Sequence, residues 1–461
     1  MTLPPKPNHC LLLIGLLAVF VFSGCHSVTE GKRLRNQASR IAPRAWKAEQ
    51  VRGEVSNAWL ALFRDRQLVQ LVEEAQRNNL DLRVTAANVD RLRALVRQTG
   101  ATLYPNIRFT GAGERTKTGR EPSSSGMESS FVSEWEIDVW GRLRAERSSA
   151  IEELHASEFD FRYAQHAIAA AVAKAYFLSI DADLQHVIAK DSEANLQKIY
   201  DYVKRQEREG FANPQDVEVI LSDLSQSKAD VVSSANAIRD SLRSLEFMLG
   251  RYPSATTDVP DKFPKLPSRP KAGLPSQLLE RRPDVRAAER RVAASFDQLH
   301  MAKAARLPRF SLTSSIGGAS SHIRDLTSPE NLIRNLGANM FAPIFEGGAI
   351  QSQIDVAEAE QRIALSEYAK TALTAFREVE SNLDLGGSLA QQYVHLTESR
   401  NSSNKAYRIA ETRYANEDIS LLDLLEIQQR TFERRSVSLA TERSQLEQRI
   451  DLYLALGGDW R

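Results

Sequence analysis

Two carboxylates near the C-terminal end of the sequence stand at a spacing that can attract positive charge. Asp423 and Glu426 are three residues apart in a stretch of helix-forming composition. Side chains at this spacing project from one face of a helix, so both carboxylates would point in the same direction. Such a face attracts cations, although solvated helix surfaces also carry charges at this spacing, and that interpretation stays open.

Motifs for covalent or metal-dependent catalysis are missing from the sequence. It contains no Gly-x-Ser-x-Gly, His-Glu-x-x-His, Gly-x-x-x-x-Gly-Lys or Cys-x-x-Cys. Its 60 basic and 59 acidic residues give a net charge of +1, which offers no electrostatic case for nucleic acid. Scattered histidines are expected to be polar residues without a metal, namely His155, His166, His186, His300 and His395. We therefore expect no catalytic residue, no metal site and no cofactor other than lipid.

Cysteine chemistry is expected at one position, Cys25. The apolar run from Leu11 to Phe22 is shorter than the ~20 residues of a membrane-spanning helix and ends in small residues, as signal peptides do. Phe22-Ser23-Gly24-Cys25 resembles the lipobox of bacterial lipoproteins, whose cysteine is acylated before cleavage in front of it. Residues 1–24 are thus predicted to be a lipoprotein signal peptide and 25–66 an acylated segment. An ordinary secretory signal with an incidental cysteine is the alternative.

The same pattern occurs twice along the chain. Asp81-Leu82-Arg83 matches Asp284-Val285-Arg286 at an offset of 203 (284 − 81), and Gly141 matches Gly348 at an offset of 207 (348 − 141). One insertion explains both offsets, and the copies are predicted at 67–250 and 276–461. Prolines crowd residues 251–275 between them, which excludes helix and predicts an extended crossover. A flexible hinge is the alternative.

Each copy is predicted to begin with a helix that leads into a β-hairpin. The helices are expected at Gln67–Ala101 and Pro283–Arg306. Alternating apolar and polar residues predict strand pairs, Ile107–Gly113 with Phe131–Val139 and Phe310–Gly317 with Leu336–Phe345. Strands with one apolar and one polar face suit a transmembrane barrel with a wet lumen. A soluble hairpin packed on a helix gives the same pattern.

Each copy is predicted to end in a long helical hairpin. Proline-free runs cover Arg142–Phe211 and Ala349–Ile419, about 70 residues each, which makes rods of ~100 Å at ~1.5 Å per residue. Asn213-Pro214 and Glu417–Ser420 break them. Return helices then follow in antiparallel orientation, at Gln215–Leu249 and Leu421–Leu456. A plain two-stranded coiled coil is the alternative.

Two segments resemble a known family. Residues 273–289, Gly-Leu-Pro-Ser-Gln-Leu-Leu-Glu-Arg-Arg-Pro-Asp-Val-Arg-Ala-Ala-Glu, resemble the signature of TolC-like outer-membrane efflux factors, specifically NodT-type lipoproteins of resistance-nodulation-division efflux systems. Residues 135–143 resemble the family's strand-to-helix corner. The resemblance implies a mainly α fold with a small β part, in which three chains give four strands each to a 12-stranded transmembrane β-barrel above a periplasmic α-barrel. Four strands alone would leave open edges in lipid, so physical reasoning also requires oligomerisation.

The resemblance also implies a function without catalysis. A homotrimer in the outer membrane, lipid-anchored and membrane-spanning with a large periplasmic portion, would let small molecules pass passively to the exterior. Its partners would be a periplasmic adaptor, an inner-membrane resistance-nodulation-division transporter and outer-membrane lipid, with no nucleic acid. A duct for type I protein secretion and a structural periplasmic coiled-coil lipoprotein are the alternatives.

The resemblance places the break of each helical hairpin at a periplasmic tip, where the closed channel is narrowest. Threefold symmetry would gather six carboxylates from Asp423 and Glu426 into a cation-attracting constriction, and their mutual repulsion would raise each carboxylate pKa. The hydroxyl of Tyr414 would donate to Asp216 as a gate latch. Surface placement of both latch residues is the alternative.

The same tips are expected to meet the adaptor. By resemblance, Gly210, Phe211 and Ala212 are the adaptor contact in the first copy. In the second copy Glu417 stands where the family usually has glycine. The two tips are therefore expected to differ.

Overall fold

The structure, a computed structural model, describes residues 43–51, 53–55, 57–120 and 122–461. The predicted signal peptide and Cys25 lie outside the described residues. The helices are α1 (Arg66–Asn78), α2 (Leu80–Ala101), α3 (Arg142–Arg208), α4 (Pro214–Met248), α5 (Pro275–Arg281), α6 (Pro283–Ala304), α7 (Ala349–Ala415) and α8 (Leu421–Ala455). The strands are β1 (Asn106–Thr116), β2 (Ser124–Ile137), β3 (Arg309–Ser320) and β4 (Leu332–Phe341). None of the helices in these ranges has the length and apolar composition needed to cross a membrane.

The predicted order of helix, hairpin, long helix and return helix is confirmed in both halves. Helices α3 and α7 have 67 residues each, and the return helices α4 and α8 have 35 each. Strands in each half rule out the interpretation as a plain coiled coil. Helix α5, which precedes α6, was not predicted from the sequence.

The predicted single helix over Gln67–Ala101 is wrong at Asn79, where the structure has two helices. The Asn79 side chain accepts hydrogen bonds from the amides of Asp81 (2.9 Å) and Leu82 (3.1 Å) and so begins α2. Its amide nitrogen donates to the carbonyl of Met248 (2.8 Å). Asparagine side chains compete with the helical backbone in this way, and here the contact with Met248 fixes the break.

The two predicted hairpins are confirmed and join into one antiparallel sheet of order β1-β2-β3-β4. Ile107 lies opposite Ser133 in the first hairpin, and Phe310 lies opposite Met340 in the second. Strand β2 then pairs with β3, with Phe131 opposite Ile316. The strand pairing predicted from sequence continued to Val139 and Phe345, whereas the strands end at Ile137 and Phe341.

The sheet has one apolar and one polar face. Side chains that alternate along the strands place Phe109, Phe131, Trp135, Leu312 and Leu336 on the same face according to the strand register. Several of these large side chains are exposed in the single chain. The opposite face carries polar groups, among them the ion pair of Arg108 and Glu134 and the hydrogen-bonded pair of Thr110 and Ser130.

Two compact units share the described chain. One contains Ala87–Asp160 and Asp284–Thr371, and includes the sheet. The other contains the described residues of 42–86 together with Phe161–Pro283 and Ala372–Arg461, and includes the turns of both helical hairpins. Its core is aromatic, with Trp59 stacked on Tyr453 at 6.0 Å between ring centroids and Phe63 against Phe177 at 5.5 Å.

The proline-rich crossover is extended, as predicted, and its contacts argue against a flexible hinge. Arg449 donates to the carbonyl of Pro267 (2.7 Å), and Gln67 donates to that of Asp258 (2.6 Å). The indole nitrogen of Trp46 donates to the carbonyl of Ala272 (3.2 Å). Because backbone groups along its length are bound by side chains of the second unit, the crossover is a fixed part of that unit.

The motif at residues 273–289 has a structural role in this fold. Arg282 is only 3% exposed, and its guanidinium donates to Glu378 of α7 (2.6 Å) and to the carbonyl of Ala455 at the end of α8 (3.2 Å). A buried guanidinium needs such partners because an unpaired buried charge is strongly destabilising. Arg282 thus ties the start of the second copy to its last two helices.

Glu246 provides a buried connection to the crossover. Its side chain accepts hydrogen bonds from the amides of Ala255 (2.7 Å), Thr256 (2.8 Å) and Thr257 (3.0 Å). Burial opposes ionisation of Glu246, but these hydrogen bonds outweigh it and lower its pKa. The folded protein therefore stabilises the ionised form of Glu246.

We expect Glu246→Gln to destabilise the protein by about 2 kcal/mol, because the amide replaces one acceptor with a donor facing backbone N–H groups. A lowered folded-state pKa stabilises above the ordinary glutamate pKa of ~4.3, and this stabilisation is lost as the pH falls through the folded-state value. Thermal unfolding of the two proteins should therefore differ at neutral pH and converge in acid. The exposed Glu218→Gln on the same helix is the control, and an equal shift in it would refute the assignment.

Candidate functional site: the turns of the two helical hairpins

Both helical hairpins close with the same backbone turn. In the first turn (residues 209–213), the amides of Gly210 and Phe211 donate to carbonyls three and five residues earlier, at 3.0 and 2.8 Å. In the second turn (residues 416–420), the amides of Glu417 and Asp418 do the same, at 3.0 and 2.9 Å. This pattern ends helices in which one residue adopts the left-handed conformation.

The left-handed residue is Gly210 in the first turn (φ 79°) and Glu417 in the second (φ 63°). The backbone of the two turns thus keeps one conformation despite the replacement of glycine, and the expected difference between the tips lies elsewhere. Residues other than glycine are disfavoured in the left-handed conformation by roughly 1–2 kcal/mol. The tips differ in strain and in the side chain that they present.

The return helices begin differently. Helix α4 starts with Pro214 at its first position, after Asn213, whose side chain makes no capping hydrogen bond. Helix α8 starts with a capping box in which the amide of Asp423 donates to the Ser420 hydroxyl oxygen (3.2 Å) and the Asp423 carboxylate accepts from the Ser420 amide (3.1 Å). The second turn is thus fixed by side chains and the first by proline geometry.

The structure places Asp423 and Glu426 on the exposed face of α8, as predicted, and gives each a local partner. Asp423 also accepts from the Ser420 hydroxyl (2.7 Å), and the side-chain and backbone hydrogen bonds from Ser420 lower its pKa. The Glu426 carboxylate pairs with Arg430 one turn later. Within one chain, therefore, Asp423 is held ionised, and the repulsion expected to raise its pKa requires copies of the chain.

Tyr414 and Asp216 lie near each other, but the described residues hold no hydrogen bond between the Tyr414 hydroxyl and Asp216. Burial, with smaller contributions from Tyr202 and the charge of Asp216, raises the pKa of Tyr414 to about 12. The Tyr414 ring packs edge-on against Tyr202, with ring centroids 5.7 Å apart. The two hairpins thus meet through an aromatic pair, and the carboxylate lies within electrostatic range.

Sequence reasoning missed Tyr202. Its position in α3 is not equivalent to that of Tyr414 in the repeat, and its hydroxyl accepts from Gln206 of the same helix (3.1 Å). Nothing in the sequence pairs two tyrosines separated by more than 200 positions. Only the packing of α3 on α7 brings them together.

One hydrophobic cluster lies beneath both turns. It combines Val203 of α3, Ile220 of α4 and Leu425 of α8, all buried. Ala212 packs on this cluster, whereas Phe211 is 75% exposed and Gly210 has open space where a β-carbon would stand. The first turn therefore presents a bare backbone and an exposed aromatic ring above an anchored alanine.

The described residues contain no group of three or more His, Cys, Asp or Glu side chains that could hold a metal ion. At the second turn the Ser420 hydroxyl donates to the Asp423 carboxylate, and this contact caps α8. What the turns offer is charge, an aromatic contact between hairpins and an exposed apolar side chain. The charges can attract ions, and the exposed apolar side chain can bind another surface.

Family comparison agrees with this architecture. The model of the outer membrane efflux protein family matches residues 71–251 and 274–458, and the chain belongs to this family. The family resemblance of the sequence is thus confirmed, and membership places the chain among transport proteins of the outer membrane.

Individual relatives cover most of the chain. It is 31% identical over 411 residues to the solvent efflux pump outer membrane protein SrpC of Pseudomonas putida, covering 86% of each chain. It is 31% identical over 415 residues to the cation efflux system protein CusC of Escherichia coli O6:H1, covering 87% of this chain and 88% of CusC. The solved structure of the outer-membrane channel OprN matches with a TM-score of 0.81 at 25% identity, covering 91% of this chain and 97% of OprN.

Strain in the second turn can be measured through matched substitutions. We expect Glu417→Gly to stabilise the turn by roughly 0.5–1 kcal/mol, since glycine adopts this conformation freely but loses more entropy on folding. Gly210→Ala should destabilise the first turn by about 1 kcal/mol, although it has space for the methyl group. Hydrogen exchange of amides 414–420 and 207–213 reports both local stabilities. Faster hydrogen exchange of amides 414–420 in Glu417→Gly would show that Glu417 does not strain the second turn.

Proposed function

We propose that the chain is the outer-membrane exit channel of a tripartite efflux pump, which passes small molecules to the exterior without chemistry of its own. The four-stranded sheet carries this proposal, because it combines an apolar face with two outer strands, β1 and β4, that have no further partner among the described strands. In lipid such edges must be paired. Family membership supports the same function.

The sheet itself indicates how copies would assemble. The order β1-β2-β3-β4 alternates in direction, so β4 of one chain can pair antiparallel with β1 of the next. Each further copy repeats the step, and cyclic symmetry closes the ring. A homotrimer would close 12 strands, within the range of ~8 to 26 known for single-chain outer-membrane barrels. A covalent lipid on Cys25 would add a second attachment to the membrane.

The partners follow from the proposed role. As part of a tripartite pump the channel would receive its cargo from a periplasmic adaptor and an energised inner-membrane transporter, for which a resistance-nodulation-division pump is the proposal. The exposed ring of Phe211, next to the open backbone of Gly210 and with Ala212 anchored in the cluster, suits contact with the adaptor. SrpC is named for solvent efflux and CusC for cation efflux, which favours small cargo over protein secretion.

Asp423 and Glu426 are proposed as the constriction. Their exposure on α8 leaves them free to face a symmetry axis, and the lowered pKa of Asp423 keeps it charged at neutral pH. Rings of carboxylates concentrate cations at a narrow point. Tyr414 and Asp216 are proposed as the latch, because Asp216 lies within electrostatic range of the Tyr414 hydroxyl, and a hydrogen bond between them in the closed assembly would hold the two hairpins together.

We expect the purified channel in a planar bilayer to pass small, cation-selective currents, and Asp423→Asn/Glu426→Gln to reduce the cation-to-anion permeability ratio severalfold. Glu360→Gln/Glu367→Gln, which removes two exposed charges from α7, is the matched control. Equal selectivity in all three proteins would refute the constriction. The absence of any current from well-folded protein would refute the channel itself.

The latch predicts an effect on opening and not on selectivity. Removing the donor in Tyr414→Phe or the acceptor charge in Asp216→Asn should weaken the closed state by about 1 kcal/mol and raise the open fraction about fivefold. Tyr202→Phe is the control, since it keeps the aromatic contact and removes a hydroxyl that serves its own helix. The latch is wrong if open probability in the two latch variants equals that of wild type.

A further inference from the structure

A cavity among α3, α4 and α8 has features that neither the turns nor the sheet require. Its volume is about 340 Å³, within the size range of ~300–1,000 Å³ typical of small-ligand sites. We call it the acidic groove. Its charged lining residues are Asp223, Asp230 and Glu433, over an apolar floor that includes Leu196 and Phe432.

Charge in the acidic groove is one-sided. None of the described residues that line it is basic, so three carboxylates share one concave surface. Arg435, which stacks over the ring of Phe432 at 5.3 Å, is held by Asp191 at 2.8 Å. Partial burial raises the pKa of Asp223. A positively charged ligand in the groove would favour the ionised form of these carboxylates.

Gln428 gives a second and independent indication of a ligand. It lines the groove and is only 2% exposed, and neither its amide oxygen nor its amide nitrogen has a hydrogen-bond partner. A buried polar group left without a partner costs about 1–3 kcal/mol. The oxygen calls for an N–H or O–H donor and the nitrogen for an acceptor.

These features together define the ligand. The carboxylates are not arranged as a group that could chelate a metal ion, which favours charges spread over a larger molecule. Ammonium groups match the carboxylates, and a hydroxyl group can both donate to and accept from the Gln428 amide. We propose that the acidic groove binds a small organic molecule that carries two or more amino groups together with hydroxyl groups, such as an amino-cyclitol.

The proposal goes beyond the exit-channel function and can be tested on the full-length protein in detergent. Isothermal titration with deoxystreptamine, which has two amines and three hydroxyls on one ring, should show saturable binding. The diaminocyclohexane that lacks those hydroxyls should bind about tenfold more weakly, because it cannot satisfy both atoms of the Gln428 amide. Inositol, which has hydroxyls without charge, should not bind measurably.

Variants separate the site from general attraction between opposite charges. Asp223→Asn/Glu433→Gln should weaken deoxystreptamine binding at least about tenfold. Glu218→Gln/Asp240→Asn, with the same change in charge at positions of α4 outside the groove, should change it less than about twofold. Gln428→Leu should abolish the preference for deoxystreptamine over the diamine. It should also raise the thermal unfolding temperature, because it removes two buried unpaired atoms.

Three outcomes would overturn the proposal. Equal loss of binding in both charge-removed variants would mean non-specific attraction. A preference for deoxystreptamine that survives in Gln428→Leu would exclude the amide from the site. The absence of saturable binding to wild-type protein would mean that the groove holds water alone. Each result leaves the conductance of the channel as a separate question.

Discussion

Strands β1 and β4 each offer one row of backbone amides and carbonyls that no other described strand of the chain pairs. Unpaired backbone groups are costly in hydrocarbon, so this sheet is stable in a membrane only when other edges meet it. The apolar face of the sheet, with large side chains such as Phe109 and Leu336 exposed, carries the same requirement. A single chain therefore cannot satisfy its own sheet in a membrane, and assembly with other copies is required.

A channel conducts without making or breaking covalent bonds, so its functional residues do not have to be reactive. The hairpin turns and the helix ends beside them carry carboxylates, a tyrosine pair and an exposed phenylalanine, groups that interact through charge and contact. The capping of α8 by Ser420 and Asp423 gives one of these carboxylates a role in local folding beside the electrostatic role proposed for it. The two turns share one backbone conformation, although its left-handed residue is glycine in one and glutamate in the other.

Stability elsewhere comes from buried polar contacts that join segments distant in the sequence. Glu246 binds the crossover, Arg282 binds the ends of the second copy, and Arg449 binds the carbonyl of Pro267. The contacts of Glu246 and Arg449 link a helix to chain that has no regular structure of its own. The proline-rich segment therefore keeps its path because its carbonyls and amides have partners, and not because of its own conformational preference.

The sequence by itself determined the repeat, the long helices, the strand pairs and the exposed face of Asp423 and Glu426, because these depend on periodicity, proline and residue spacing within one segment. Tertiary structure alone decided the contact of Asn79 with Met248, the pairing of β2 with β3, the contact of Tyr202 with Tyr414 and the burial of Gln428. Each of these depends on groups more than 50 residues apart meeting in space, and local pattern carries no information about such meetings.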